Sequence, residues 1–261
     1  MLGLGSSITS STTTSAASAI SRGSVFPNTK SLSFDGTNDY VDTNKSGNSL
    51  FRGSFSISFW MKPDDGQPSA AGALFGVEAG ANADQVIVML GTAGTINVFH
   101  AANSTLNYGT TDAAVFTNGA QSDFKHIVIT EEKVSSGNAA LKIYVNGVDT
   151  AFSLLGGGFF VISEANFESF DSGSLNLNIG AINDDGTQDT FYDGLIDEVS
   201  VFGKALSSSE VTAIYNSGVP KDETDHHRLT LYYRFEDNVN DTDGTSNGTN
   251  NGATFSSTVP S

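Results

Sequence analysis

Oxygen-bearing side chains gather at one turn near the start of the alternating part of the chain, and their types suit a divalent cation. Asp35, Asn38 and Asp39 lie on or beside a Gly-Thr-Asn-Asp turn between two short apolar runs. Ca²⁺ takes roughly six to eight oxygen ligands, and a turn beside a strand end supplies carboxylates and main-chain carbonyls. Asp and Asn also cap ordinary turns that face water. Two interpretations therefore stay open, a structural Ca²⁺ site and a solvated turn.

Aromatic side chains in loop-like segments are the candidates for sugar contacts. Shallow glycan sites depend on exposed rings, which offer an apolar body and, in tyrosine, a polar tip. We predict carbohydrate-binding roles for Tyr108, Phe191 and Tyr192. Other aromatic residues in similar positions are Phe159, Phe160, Phe167 and Phe170.

Paired carboxylates suited to glycoside hydrolysis are not recognisable in the sequence. Two acids that act on one bond from a strand should lie two or four residues apart, so that they share a face. Asp197 and Glu198 are adjacent, which predicts opposite faces, and no Glu-x-Asp-x-x-Glu string occurs. The glycines at 156–158 lack the Lys-Ser/Thr that follows in a phosphate-binding loop. We therefore expect no catalytic residues and no enzyme activity.

The charge balance limits the partners. The 261 residues include 29 acidic and 12 basic side chains, for a formal net charge of −17. Such a surface repels nucleic acid and anionic membranes, so neither is an expected partner. The first residues lack the basic and apolar regions of a secretory signal, and no apolar run is long enough to span a membrane. The absence of cysteine excludes disulfides and thiolate chemistry.

Residues 1–29 are rich in Ser, Thr, Ala and Gly and bury too little to fold alone, which predicts an N-terminal arm. This arm is either a leader without a role or a segment that orders against a neighbouring subunit. From residue 30, short alternating apolar runs are separated by turn residues, with one credible helix that begins at Ser207. That spacing predicts an antiparallel sandwich. The predicted core comprises Phe34, Phe55, Ile57, Phe59, Trp60, Ile127, Ile129, Ile143, Val145, Ile196, Val199 and Val201.

Four strings resemble the laminin G-like, concanavalin A-like jelly roll. They are residues 32–41 (LSFDGTNDYV), 55–63 (FSISFWMKP), 141–147 (LKIYVNG) and 192–207 (YDGLIDEVSVFGKALS). The resemblance implies an all-β, two-sheet antiparallel jelly-roll sandwich. It also implies a packed position for the tryptophan, and it places Asp193 and Asp197 near Asp35, which would complete the Ca²⁺ site.

The resemblance also divides the chain. We expect the arm over residues 1–29, the jelly roll over 30–220, and a linker with a C-terminal strand over 221–261 that completes the same sandwich. Residues 229–235 resemble a strand that precedes the LSFDG string in relatives. First and last strands are neighbours in a jelly roll, so we expect this displaced segment to pair in the same sheet of its own chain.

The function stays less defined, because this scaffold hosts lectins, hydrolases, adhesins and structural modules. Residues 219–223 (VPKDE) and 232–236 (YYRFE) resemble marine bacteriophage proteins of this fold. This resemblance implies a non-enzymatic structural protein of a tailed bacteriophage virion, in capsid decoration or as a fibre component. Its partners would be other virion proteins and copies of itself. The alternative is a carbohydrate-binding adhesin or lectin module that recognises host-surface glycans, and a glycoside hydrolase or lyase is the least favoured class.

Overall fold

Two β-sheets packed face to face make up the protein. The structure, a computed structural model, describes residues 26–80, 84–102, 105–133, 140–154, 168–242 and 244–261. The predicted two-sheet antiparallel sandwich is confirmed. Most of the predicted arm and the aromatic residues at 159, 160 and 167 lie outside the described residues. Within the described ranges, no helix is long and apolar enough to cross a membrane.

The first sheet, called sheet A, includes strands from the C-terminal segment. Its strands are β1 (Ser31–Asp35), β3 (Phe55–Pro63), β8 (Lys125–Glu132), β9 (Ala140–Val145), β10 (Val148–Thr150), β15 (Asp193–Phe202), β16 (Leu229–Tyr233) and β18 (Thr254–Ser256). The order across the sheet is β10-β9-β8-β3-β15-β1-β18, and β16 also pairs with β15.

The strands of the second sheet, called sheet B, are β2 (Tyr40–Ser46), β4 (Gly72–Glu78), β5 (Gln85–Leu90), β6 (Ile96–Ala102), β7 (Thr105–Thr111), β11 (Phe152–Leu154), β12 (Asn176–Ile179) and β17 (Thr249–Asn251). Their order across the sheet is β11-β7-β6-β5-β4-β12-β2-β17. A hairpin of β13 (Ile182–Asp184) and β14 (Thr187–Asp189) joins this sheet through a parallel pairing of β13 with β4.

The core lies between the sheets, and strand alternation fills it. In β3, Phe55, Ile57 and Phe59 face inward, and the ring of Phe59 packs edge-on against Phe75 of sheet B, with 4.7 Å between the centroids. Each large apolar side chain that is fully buried stabilises the fold by about 1.5–3 kcal/mol. The predicted core residues are buried, except that Val145 is only partly buried.

Trp60 alternates with the inward residues of β3 and therefore lies on the outer face of sheet A. It is nevertheless only 4% exposed, because helix α2 (Ser208–Tyr215) ends above it with Tyr215, whose ring stacks on the indole at 5.9 Å. The helix begins with a capping box between Ser207 and Glu210, as the sequence predicts. The other α-helix with described bounds is α1 (Gly47–Phe51), and a short 3₁₀ helix (Asn216–Gly218) follows α2.

The C-terminal strand β16 pairs in sheet A of its own chain, as expected. The first half of the ten-residue β15 pairs with β1, and its second half pairs with β16 of the same chain. Without β16, the N–H and C=O groups of that second half would lie unpaired at an edge. The described end of the predicted arm also contacts the chain just after β16. Phe26 packs under the Arg234 guanidinium, and Thr29 donates hydrogen bonds to the Glu236 carboxylate.

Candidate functional site

The outer face of sheet B, which points away from the core, carries a row of residues that crosses four strands, and three of those residues bear side chains. The strand register pairs Gly76 with Ile87, Ile87 with Phe99, and Phe99 with Tyr108. Paired residues of antiparallel strands share a face. The alternate residues of β5 and β6 lie in the core, so this row faces outward.

Two aromatic rings in that row form a stacked pair. The centroids of Phe99 and Tyr108 are 4.1 Å apart, and the ring planes differ by 6°. Both side chains are half-buried. Burial raises the pKa of Tyr108, and a hydrogen bond with Thr110 opposes that rise. The pair therefore offers a fixed apolar surface together with a neutral phenol that can donate or accept a hydrogen bond.

Polar groups lie directly beside the pair. The register places Met89, Asn97 and Thr110 in the neighbouring outward row. The side-chain oxygen of Asn97 accepts hydrogen bonds from Thr110 at 2.7 Å and from Thr95 at 3.0 Å. These bonds fix the amide, so an apolar platform and oriented amide and hydroxyl groups stand side by side.

A cleft of about 210 Å³ opens at one end of the sandwich. It lies where β1 and β15 of sheet A meet β4 and β5 of sheet B, and Phe191 is half-buried in its wall. Phe191 also forms a bridge with Ala73, whose side chain lies on the outer face of sheet B beside Met89. The end cleft therefore adjoins the face that carries the aromatic pair.

Carboxylates line the end cleft. Asp35 and Asp193 pair across β1 and β15, and Asp65 lies in the same wall. Partial burial raises the pKa of Asp193, and the charges of Asp64 and Asp35 raise it further. Burial and then the charge of Asp35 likewise raise the pKa of Asp39. The end cleft is therefore lined by acidic side chains, and burial and the charge of Asp35 both contribute to the raised pKa of Asp193.

The predicted Ca²⁺ ligands are brought together only in part. The Asp39 carboxylate accepts a bond from the Asp35 N–H, and the Asp35 carboxylate accepts bonds from the N–H groups of Thr37 and Asn38. In these bonds the carboxylates accept from main-chain N–H groups of their own turn, as Asp residues in ordinary turns do. In the described part of the chain, no group of three or more acidic or histidine side chains is arranged to hold a metal ion. The Ca²⁺ site stays a prediction.

The structure corrects two of the predicted site residues. Tyr192 is 1% exposed and packs edge-on against Phe34 in the core, so its ring offers no face to a sugar. Asp197 pairs with Trp60 on the outer face of sheet A, four residues along β15 from Asp193. It is buried away from the other predicted Ca²⁺ ligands.

A buried acidic cluster on the outer side of sheet A was not found from the sequence. A bulge between Asp197 and Ser200, with Glu198 at a φ of 48°, turns Glu198 toward the same side as Asp197. The predicted opposite orientation of these two acids is therefore wrong. Glu198 accepts a hydrogen bond from the Tyr232 hydroxyl and Glu223 accepts one from Ser200. Burial raises the pKa of Glu198 to about 8 and that of Glu223 to about 7.

Solved structures with a similar fold include a carbohydrate-binding module and a pentraxin. A proposed carbohydrate-binding protein from Bacteroides ovatus has a TM-score of 0.63 and 22% identity, over 89% of this chain and 61% of its own. A heptameric SAP-like pentraxin from Limulus polyphemus has a TM-score of 0.56 and 14% identity, over 87% and 94%. The Ruminococcus gnavus IT-sialidase CBM40, bound to α2,3-sialyllactose, has a TM-score of 0.53 and 16% identity, over 71% and 96%.

At these identities the likeness shows the fold alone, and the chain spans less than two thirds of the Bacteroides ovatus protein. No curated protein matches the chain at a significant level. The model of the concanavalin A-like lectin/glucanases superfamily matches residues 35–212, more than half of the chain. The chain therefore belongs to the concanavalin A-like lectin/glucanases superfamily.

Proposed function

We propose that this protein is a non-enzymatic carbohydrate-binding module that binds a glycan on the outer face of sheet B. The observation that carries the proposal is the stacked pair of Phe99 and Tyr108 beside Asn97 and Thr110. The similarity to a proposed carbohydrate-binding protein and to a module bound to sialyllactose supports it. The comparisons give no such support to the virion role, so we favour the alternative from the sequence, a carbohydrate-binding module.

The arrangement suits the two surfaces of a sugar ring. The C–H groups of a pyranose pack on the apolar surface of the aromatic pair, and its hydroxyls exchange hydrogen bonds with the Tyr108 phenol and the Asn97 and Thr110 side chains. Phe191 at the adjoining end cleft extends the apolar contact to a further sugar unit. Because Asn97 is already fixed by neighbouring hydroxyls, little side-chain entropy is lost on binding.

Charge restricts the glycan to a neutral or amine-bearing one. None of the described residues that line the end cleft is Lys or Arg, whereas Asp35, Asp65 and Asp193 are among them. On the outer face itself, Glu78 lies near Asp184 and Asp189, whose charges raise its pKa after the larger effect of burial. The carboxylate of a sialic acid would meet repulsion from these acids, and no described residue that lines the end cleft is cationic to offset it.

A glycan array that contains neutral, amine-bearing and sialylated sugars tests the proposal. We expect micromolar binding to neutral or amine-bearing glycans and none to sialylated ones. Tyr108→Ala should weaken that binding at least tenfold, which is about 1.4 kcal/mol. The matched control is Val148→Ala, an exposed apolar residue on sheet A. Silence across the array, or full affinity in Tyr108→Ala, would contradict the proposal.

A further inference from the structure

A second cleft lies on the outer side of sheet A, on the opposite side of the sandwich from the aromatic pair. Its volume is about 340 Å³, within the range of roughly 300–1,000 Å³ that small-molecule sites occupy. Trp60, Phe124 and Tyr215 line it, together with Asn146, Asp123 and the segment 258–261. It shares no lining residue with the end cleft. We call it the tryptophan cleft.

The floor of the tryptophan cleft is a rigid aromatic assembly. The Trp60 ring lies 4.8 Å from the His126 ring, and the Tyr215 ring stacks over both, 5.9 Å from the indole and 5.8 Å from the imidazole. The buried His126 is held by a 2.9 Å hydrogen bond with Ser58. Phe124 and Tyr215 are half-buried, so these two rings supply the accessible apolar surface.

A tight turn holds this assembly in place. Asn146 and Gly147 both have positive φ, at 51° and 76°, as a two-residue hairpin turn between β9 and β10 requires. A Cβ atom on Gly147 would lie 2.8 Å from Cδ1 of Tyr215. The glycine therefore lets the turn approach the Tyr215 ring and pin it over Trp60, so the cleft is preformed.

Oriented polar groups surround the aromatic floor. The side-chain oxygen of Asn146 accepts a hydrogen bond from the main-chain N–H of His126 at 2.9 Å, which fixes the amide and leaves its nitrogen as a donor. Ser122 donates to the Asp123 carboxylate at 2.6 Å. Both residues are exposed, and the second carboxylate oxygen of Asp123 can accept from a ligand. None of the described lining residues is Lys or Arg.

We propose that the tryptophan cleft is a second carbohydrate subsite, which takes one neutral sugar unit. The sugar packs its C–H face on Phe124 and Tyr215, accepts a hydrogen bond from the Asn146 amide nitrogen, and donates one to Asp123. The class of ligand rests on the proposed function, whereas the site itself rests on this cleft. Sites on opposite sides of one sandwich would let a single module join two glycan chains, with the gain in avidity that two contacts give.

The chain carries its own reporter for this site, since Trp60 is the only tryptophan. Neutral glycans that bind on the array are titrated while Trp60 emission is followed. We expect the tryptophan cleft to be the weaker of the two sites, so a saturable change in emission should persist in Tyr108→Ala at glycan concentrations above those that the array binding needs. The same change should need at least tenfold more glycan in Phe124→Ala and in Asp123→Ala. Circular dichroism establishes that each variant is folded, and Asp123→Ala removes an exposed side chain.

The outcomes separate the two proposals. Glycan binding that leaves Trp60 emission unchanged, or a signal that Tyr108→Ala abolishes, overturns the second subsite and leaves the proposed function standing. An emission change that neither Phe124→Ala nor Asp123→Ala weakens also overturns the second subsite. Absence of glycan binding on the array and in the titration overturns both.

Discussion

Replacing Glu198 by Gln should stabilise the protein at high pH and change little at pH 5. Glu198 is buried in β15, accepts a bond from the Tyr232 hydroxyl, and lies 3.6 Å from Nε of Arg234. Burial raises its pKa from 4.5 to about 8, while Tyr232 and Arg234 lower it and the charges of Glu223 and Glu236 raise it. Asp197 is adjacent, and its pKa is also raised, first by burial and then by Glu198.

The sign follows from the proton balance. Between pH 4.5 and about 8, the Glu198 carboxyl is protonated in the folded protein and ionised in the unfolded chain, so unfolding releases a proton. Its favourable contribution to stability is fully present below pH 4.5 and is lost as the pH rises through 8. The rise of the pKa from 4.5 to about 8 corresponds to a loss of about 5 kcal/mol in the free energy of unfolding. Glu223, with its pKa raised from 4.5 to about 7, contributes about 3 kcal/mol in the same direction.

The assay is urea unfolding at pH 5, 7 and 9, with the free energy of unfolding read from each curve. A glutamine resembles the protonated glutamate but cannot ionise. The free energy of unfolding of Glu198→Gln should therefore equal that of the unsubstituted protein within about 1 kcal/mol at pH 5. At pH 9 it should be larger by several kcal/mol. Glu132→Gln, on the exposed end of β8, is the matched control, and its free energy of unfolding should show no such gain at pH 9.

A variant that is destabilised by the same amount at pH 5 and at pH 9 would refute this reasoning. That result would mean that Glu198 is ionised throughout and that its ion pair with Arg234 outweighs the cost of burial.

Three further measurements test the local geometry. Gly36→Ala should lower the free energy of unfolding by about 1–2 kcal/mol, because φ is 69° and the new Cβ would lie 2.9 Å from Cβ of Asp193; Gly53→Ala, which meets nothing within 4 Å, is the control, and equal losses would contradict the argument. Ser207→Ala removes the α2 capping box with Glu210 and should cost about 1 kcal/mol in chemical denaturation, so an unchanged midpoint would count against it. Calcium bound at the predicted turn should raise the melting temperature, by the equivalent of about 2.7 kcal/mol at a concentration 100 times its dissociation constant. Thermal melting with and without a chelator measures this shift, and identical midpoints would contradict the predicted Ca²⁺ site.

Local sequence rules determined the elements and the main core. Alternation in β3 is enough to send Phe55, Ile57 and Phe59 inward, because successive side chains of a strand point to opposite faces. The Ser207–Glu210 spacing likewise determined where α2 begins, since a capping box needs only one turn of chain. Both are short-range effects, and both are confirmed.

The tertiary structure alone decided which side chains meet. Phe99 stacks on Tyr108 only because the register of β6 and β7 places them opposite each other. The sequence indicates only that Phe99 points outward, because it alternates with the core residues of its strand. The bulge that turns Glu198 beside Asp197, and the packing that buries Tyr192, have no local signature. Register, bulges and burial depend on contacts between segments far apart in the chain, which local periodicity does not encode.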